Sequence, residues 1–205
     1  MPVIINYGAG NLLSVKKACE FIGESAVISC DPDEILAADK VILPGVGAFG
    51  DCMSALSQAN LVDTIRKVAA SGTPFLGICL GLQLLFEASE ESPGASGLGI
   101  FKGRCVKIPK AEGLKIPHIG WNSLSLSQHS PLFEGVDDGA YVYFVHSYYM
   151  QPEDPSIVTA FCDYSAQMPV ALSCGNVHAV QFHPEKSGDT GLKILKNFLN
   201  TEGGK

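Results

Sequence analysis

The sequence contains neither a membrane-length apolar run nor a basic cluster. Its most apolar stretch, Pro74 to Phe86, is interrupted by Gln83 and falls short of the roughly 18 residues that indicate a membrane span. The 21 acidic residues outnumber the 14 basic ones, which gives a net charge of −7. A nucleic-acid backbone is therefore not an expected partner, and neither is a membrane.

Paired cysteine motifs are also missing. The seven cysteines are scattered, odd in number and nowhere spaced C-x-x-C, which is typical of reduced thiols rather than of a secreted disulfide framework. At the start of the chain, Asn6 interrupts the apolar residues 2–5 before a signal-like stretch develops. We expect a soluble, cytoplasmic protein.

The composition predicts a globular chain. Apolar residues make up 46% and charged residues 17%, which excludes intrinsic disorder. A length of 205 residues suits one domain, and no linker or charge run divides it. We expect a single domain over residues 1–205.

The first ninety residues alternate short apolar runs with helical patterns. Four runs are apolar throughout, which is typical of strands buried on both faces of a parallel sheet: residues 3–5, 26–28, 41–43 and 75–78. Helices are predicted between them: one carries Leu12 to Ile22, one is capped by Asp51 and continues to Gly72, and one covers 80–88.

After residue 97 the pattern becomes β-rich. Strands are predicted at 106–108, 141–149, 157–161, 170–173 and 177–182, with a hairpin turn at 174–176 and a closing helix around Leu192 to Leu199. The predicted fold class is α/β, with a mostly parallel central sheet flanked by helices and an antiparallel β extension.

Residues 45–50 match the pattern G-x-G-x-x-G between a strand and a helix, which has three interpretations. A dinucleotide site is disfavoured, because no Asp or Glu lies between Asp63 and Glu87 to bind a ribose and because Asp51 puts a carboxylate where a pyrophosphate would sit. A tight turn is a simpler interpretation. We favour a turn that presents backbone N–H groups to an anion.

A second possible site is the pair His178 and His183. The spacing fits half of a zinc-finger pattern, but the cysteine half is absent. The two side chains should point to opposite faces of the strand. We therefore expect no metal and no cofactor, and we assign His178 no role.

Gly77-Ile78-Cys79-Leu80-Gly81 is a stronger signal, a thiol version of the nucleophile elbow between a predicted strand and helix. Side chains at 77 or 81 would crowd neighbouring elements, so glycine is needed there. Cys79 alone could equally be a small buried hydrophobic residue. His183-Pro184-Glu185 decides for the nucleophile, because residues two apart in an extended segment face one way and supply a base with its orienting carboxylate.

With these residues assembled, the chain resembles the class I glutamine amidotransferases, whose triad follows the chain order Cys, His, Glu. The resemblance runs over essentially the whole chain. Four stretches narrow it to the glutaminases of histidine biosynthesis: residues 6–12 (NYGAGNL), 44–50 (PGVGAFG), 117–122 (PHIGWN) and 143–148 (YFVHSY).

The resemblance implies a role for each matching residue. Cys79 is the expected nucleophile, His183 the general base and then acid, and Glu185 the group that orients it. Backbone N–H groups of Leu80 and of the Val46-Gly47 turn are expected to form the oxyanion hole. The remaining residues implied to bind the substrate glutamine are Gln83, Glu91, His146, Ser147 and Tyr148.

The resemblance also implies a partner, because nothing in the chain is long enough to form a second, barrel-shaped synthase domain of about 250 residues. The ammonia is expected to pass to a separate cyclase subunit in a heterodimer, and this partner is expected to activate the glutaminase. We expect Trp121 and Lys186 on the docking face.

Two alternatives remain. One is a glutaminase that serves pyridoxal phosphate formation, although its family usually carries a Gly-Gly-Glu-Ser-type turn where this chain has residues 46–49 (VGAF). The other is a non-enzymatic nucleotide-binding module that uses Gly45 to Gly50, with Cys79 merely structural.

Overall fold

The computed structural model describes residues 1–203 and contains one large sheet and two small ones. The strands, numbered in chain order, are β1 (Pro2–Ile5), β2 (Val27–Ser29), β3 (Lys40–Gly45), β4 (Phe75–Cys79), β5 (Ala88–Ser89), β6 (Gly103–Lys107), β7 (His118–Ser123), β8 (Ser125–Leu126), β9 (Tyr141–His146), β10 (Tyr148–Pro152), β11 (Val158–Asp163), β12 (Gln167–Cys174) and β13 (Val177–Val180).

The large sheet has eight strands in the order β2-β1-β3-β4-β13-β12-β11-β8. Strands β2, β1, β3, β4 and β13 run parallel, and β12, β11 and β8 continue the sheet in antiparallel pairs. This arrangement confirms the predicted α/β class with its antiparallel extension. Strand β4 therefore lies at the centre of the sheet, directly beside β13.

Helices cover both faces of this sheet. They are α1 (Leu12–Phe21), α2 (Pro32–Leu36), α3 (Phe49–Gln58), α4 (Val62–Ala70), α5 (Leu80–Leu84) and α6 (Gly188–Asn200). Alternate strand residues enter two different cores: Ile5 packs in the cluster that includes α2 to α5, and Ile4 in the cluster that includes α1 and α6. Strands β1 and β4 carry no polar side chain before Cys79, because every one of their residues is buried.

The two small sheets lie outside this layer. Strands β10, β6 and β5 form one, and β7 and β9 form an antiparallel ribbon. In the large sheet, Cys174 pairs with Val177 across the predicted hairpin turn, where Gly175 has a φ of +57°. That conformation suits glycine because it has no Cβ.

The single helix predicted from Asp51 to Gly72 is wrong. The chain forms α3 and α4, and they are separated at Asn60, which has a φ of +56°. Asn tolerates this left-handed conformation and ends a helix well. Asp51 is not the cap either, since Ala48 occupies the N-cap and Asp51 lies in the first turn.

The helix predicted over 80–88 is also too long, because α5 ends at Leu84. The chain that follows folds back, so the carbonyl oxygen of Leu84 accepts from the N–H of Leu98 and that of Leu85 from the N–H of Ile100. Tertiary hydrogen bonds thus replace the next helical turn.

Other boundaries differ in the same way. The strand predicted at 141–149 is split at Ser147, and the one at 177–182 ends at Val180. Helix α2 was not predicted, although Asp31 caps it and Pro32 begins it, and neither was the strand β7.

None of the helices within residues 1–203 combines the length and the apolar character that crossing a membrane requires.

The turn from β4 into α5 is packed tightly against β3. A Cβ added to Gly81 would lie 1.9 Å from the carbonyl oxygen of Leu43, and one on Gly77 would lie 3.0 Å from the backbone of Gly81. Both glycines are therefore required by close approach of backbone, as the sequence predicted.

We expect Gly81→Ala to destabilise the protein, because the added methyl meets backbone that cannot move aside. Overpacking of this kind costs about 1–3 kcal/mol. Urea unfolding monitored by circular dichroism measures it. Ser57→Ala, at an exposed position of α3, is the control. Equal unfolding midpoints for the two variants would contradict the assignment.

Candidate active site

Cys79 lies at the junction of β4 and α5 with a strained backbone. Its φ is +55° and its ψ is −110°, a conformation that non-glycine residues rarely adopt. Strain of this kind at a strand-to-helix turn is the geometry of a nucleophile elbow. The side chain is only 6% exposed, so the sulfur lies in a cavity at the carboxyl end of the parallel strands.

His183 and Glu185 form a buried pair beyond the end of β13. The Nδ1 atom of His183 lies 2.8 Å from Oε1 of Glu185, and the two side chains are 2% and 1% exposed. The predicted contact is present, but its predicted cause is wrong. Residues 184–186 form a 3₁₀ turn, and this turn rather than an extended segment brings the carboxylate under the imidazole.

Because Nδ1 of His183 is bound to Glu185, the other ring nitrogen, Nε2, is available for proton transfer. The carboxylate accepts the hydrogen bond, so Nδ1 carries a proton. The Nε2 atom is buried and has no hydrogen-bond partner. Burial lowers the pKa of His183, but the interactions with Cys79 and Glu185 outweigh it and raise the pKa from 6.5 to about 9.

Two further groups contact the sulfur of Cys79. The thiol donates to the carbonyl oxygen of Val145 over 4.0 Å, and the Nε2 atom of Gln181 donates to the sulfur over 3.6 Å. Gln181 is not among the site residues that the sequence predicts. Its signal is positional: it stands two residues before His183, and its strand runs beside the one that ends in Cys79.

A cavity of about 330 Å³ opens over the sulfur. It brings together ten of the predicted site residues, which come from distant parts of the chain, with Pro117 and Val145 as the additional lining. The ten are Val46, Gly47, Cys79, Leu80, Gln83, Glu91, His146, Ser147, Tyr148 and His183.

The glycine-rich turn at 45–50 contributes one wall. The first two N–H groups of the helix that follows are already bound, because the N–H of Phe49 donates to Glu91 over 2.7 Å and that of Gly50 donates to Ser92 over 3.0 Å. A pyrophosphate would have to displace both side chains. The nucleotide interpretation of this turn therefore has no support in the local geometry.

The polar side chains of the cavity are held in place by the protein itself. The Nε2 atom of Gln83 donates to the carbonyl oxygen of Tyr148 over 3.2 Å. His146 uses both ring nitrogens, with Nδ1 2.9 Å from the same carbonyl and Nε2 3.1 Å from His118. Burial lowers the pKa of His146 to about 3 and that of His118 to about 4, so both rings are neutral.

The two predicted docking residues, and His178, for which no role is predicted, lie away from the cavity. Trp121 is 55% exposed on the β7–β9 ribbon, and Lys186 is exposed on the 3₁₀ turn after His183. His178 lies within β13, where its Nδ1 is 2.9 Å from the hydroxyl of Ser173 and its ring packs against Phe198. His178 and His183 therefore do not share a site.

Comparison with solved structures agrees with this architecture. A glutamine amidotransferase crystal structure matches with a TM-score of 0.74 at 20% identity, covering 96% of this chain and 98% of that one. A structure of PurLQS from Thermotoga maritima matches with a TM-score of 0.77 at 20% identity, covering 97% of each chain. At this identity the likeness concerns the fold.

Sequence comparison is more specific. The chain is 52% identical over 203 residues to the imidazole glycerol phosphate synthase subunit HisH of Syntrophotalea carbinolica, covering 97% of this chain and 98% of the relative. It is 51% identical over 200 residues to the protein of the same name from Methanosarcina barkeri, covering 97% of each. The family described as glutamine amidotransferase class-I matches residues 3–201. The chain belongs to the class I glutamine amidotransferase family.

Proposed function

We propose that this chain is the glutaminase subunit of an imidazole glycerol phosphate synthase, a single amidotransferase domain over residues 1–205. It hydrolyses glutamine to glutamate and ammonia and passes the ammonia to a cyclase subunit. The observation that carries the proposal is the strained Cys79 beside the buried His183–Glu185 pair. Relatives named as this subunit, at about half identity over nearly the whole chain, support it.

In the proposed reaction, Nε2 of His183 takes the proton from the sulfur of Cys79. The thiolate attacks the side-chain amide carbon of glutamine, and the imidazolium then gives its proton to the leaving nitrogen. Water hydrolyses the resulting γ-glutamyl thioester, with His183 again as the base. Glu185 keeps the proton on Nδ1 throughout, so Nε2 stays oriented toward the sulfur.

Each step passes through an oxyanion, for which we propose backbone donors at Leu80 and in the Val46-Gly47 turn. All three residues line the cavity next to Cys79. Losing one such donor typically lowers the rate by about 100- to 1000-fold. The turn is the more adaptable part, since Gly47 has a φ of +108° with open space around it.

Glutamine binding is proposed for Gln83, Glu91, His146, Ser147 and Tyr148. A cavity of about 330 Å³ is at the small end of ligand sites, as suits a single amino acid. Because the side chains of Gln83, Glu91 and His146 are already fixed by protein contacts, the site is preorganised, and little ordering cost accompanies binding.

The product requires a partner. Ammonia released into water is protonated and loses its nucleophilicity, so a synthase must receive it directly. We propose a heterodimer with the cyclase subunit, which adds the ammonia nitrogen to its own sugar-phosphate substrate and so makes imidazole glycerol phosphate and aminoimidazole carboxamide ribotide. A cytoplasmic location is consistent with seven unpaired cysteines.

The proposed docking face is the outer side of the β7–β9 ribbon, with Lys186 beside it. The ribbon exposes three large side chains: Ile119 at 60%, Trp121 at 55% and Tyr141 at 59%. Exposed aromatic residues of this kind are frequent interface anchors. The alternatives are less well supported: the turn at 46–49 lacks the pyridoxal-phosphate-type residues, and the first two N–H groups of the helix that follows it already bind side chains.

The ribbon is bonded directly to the segment that carries His183. The N–H of His183 donates to the carbonyl oxygen of Tyr143 over 3.0 Å, and the N–H of Tyr143 donates to the hydroxyl of Ser187 over 2.9 Å. A partner seated on the ribbon would therefore act on the position of the general base. This is our physical reason for expecting activation by the cyclase.

We expect Cys79→Ala to abolish glutamine-dependent ammonia formation in the assembled complex, because no other thiol can form the thioester. Cys30→Ala, at an exposed cysteine, is the control and should retain full activity. Ammonia formation is measured with and without the cyclase, and the unaltered chain alone should form ammonia only slowly. Retained activity in Cys79→Ala would disprove the proposed mechanism, and equal rates with and without partner would disprove activation.

We expect Trp121→Ala to weaken association with the cyclase by at least about 30-fold, as is typical when an interface anchor of about 2 kcal/mol is removed. Titration calorimetry measures the dissociation constant. Phe21→Ala is the matched control, since Phe21 is 79% exposed at the far end of α1. An unchanged constant for Trp121→Ala would remove this residue from the docking face.

We expect the imidazole of His183 to titrate near pH 9, above its ordinary 6.5. Its contribution to stability is therefore complete below pH 6.5 and is lost as the pH rises through about 9. Nuclear magnetic resonance of the histidine ring protons follows the titration. Glu185→Gln removes the carboxylate charge and should lower the midpoint by about one unit. A midpoint at or below 6.5 in the unaltered chain would contradict the charge balance described here.

A further inference from the structure

Gln181 is a buried amide beside the sulfur of Cys79. Strands β4 and β13 are parallel neighbours in which Val180 pairs with Ile78, so Gln181, one residue further on, comes level with Cys79. The side chain of Gln181 is fully buried, and its Nε2 atom donates to the sulfur over 3.6 Å. No step of the mechanism above uses this contact.

The orientation of this amide is determined by its surroundings. The backbone oxygen of Tyr148 can only accept, so Gln83 must turn its Nε2 toward it, at 3.2 Å. The same Nε2 donates its second hydrogen to Oε1 of Gln181 over 2.9 Å. Because Oε1 of Gln181 is occupied in this way, its Nε2 is the atom that faces the sulfur. One backbone carbonyl thus fixes both amides.

The two groups that contact the sulfur favour different protonation states. The carbonyl oxygen of Val145, at 4.0 Å, can only accept, so it favours the protonated thiol. The N–H of Gln181 can only donate, and a donor binds a charged acceptor about twice as strongly as a neutral one. Gln181 therefore stabilises the thiolate relative to the thiol.

We propose that Gln181 is a further catalytic residue, whose side-chain N–H holds the negatively charged sulfur of Cys79 for attack and whose orientation is maintained by Gln83. This deepens the proposed function and rests on Cys79 as its nucleophile. Gln83 then orients the amide of Gln181 in addition to any contact with glutamine.

The test measures thiolate formation directly. Full-length Gln181→Met, a substitution of similar size with no donor, is alkylated with iodoacetamide over a range of pH, and fragmentation mass spectrometry quantifies the label at Cys79. We expect the midpoint of the rate profile to move up by about one pH unit, equivalent to about 1.4 kcal/mol. A midpoint equal to that of the unaltered chain would overturn the proposal.

Other titrating groups near the sulfur are common to all variants. They are His183 with its partner Glu185, the cavity residues Glu91, His146 and Tyr148, and Tyr7, whose hydroxyl donates to the carbonyl oxygen of Pro44. Differences between profiles therefore report on the amide alone.

Val180→Ala controls for a merely structural effect, because Val180 is fully buried, directly precedes Gln181 in the sequence and has no hydrogen-bond donor in its side chain. It should loosen the core and leave the midpoint unchanged, and an equal shift in this variant would overturn the proposal. Gln83→Met serves as a second test should Gln181→Met not fold. Without the hydrogen bond from Gln83, the amide of Gln181 should stabilise the thiolate less well, so we expect a smaller upward shift of the midpoint. An unshifted midpoint would count against the proposal.

The alkylation profile tests the role of Gln181, and the glutaminase assay tests the proposed function, so failure of one can be told from failure of the other. An unmoved midpoint with intact ammonia production would remove Gln181 and leave the proposed function standing. A chain that never releases ammonia with its partner would remove the function whatever the profile shows.

Discussion

The close approach of α5 to β3 is the constraint on which the site depends. Only a glycine at 81 lets α5 start against the carbonyl oxygen of Leu43. This close start allows the chain to turn from β4 into α5 through the positive-φ conformation of Cys79. The strain at Cys79 is balanced by the packing of a fully buried central strand on both its faces. The reactive sulfur is therefore a property of the whole sheet and not of a loop.

Sheet order then decides which distant residues meet. Strand β13 enters the sheet beside β4, and this one pairing brings Gln181 and His183 to the sulfur across about a hundred residues of sequence. The 3₁₀ turn that follows adds Glu185 and exposes Lys186. The proposed base, its proposed orienting carboxylate and the proposed docking residue thus lie within four consecutive positions, so a partner bound at Lys186 would lie next to the catalytic pair.

Much of this arrangement could be predicted from local patterns. Uninterrupted apolar runs predicted the buried parallel strands, and the glycines on either side of Cys79 predicted the nucleophile elbow. The errors arose where tertiary contacts outweighed local preference: α5 stops because the loop around Leu98 and Ile100 takes its carbonyls, and Asn60 divides one apparent helix into two. Gln181 was missed because a buried amide has no periodic signature, and its role depends on a neighbouring strand whose register no single sequence displays.

The buried histidines also give the fold a preferred range of acidity. His118, His146 and His178 are held neutral, with pKa values lowered by burial to about 4, 3 and 4. Their folded environments bind a proton less well than the unfolded chain does, so acidification below 6.5 draws the protein toward unfolding through these three rings. His183 opposes them from the alkaline side. The imidazoles therefore limit stability at both the acidic and the alkaline end, and neutral pH falls between the two limits.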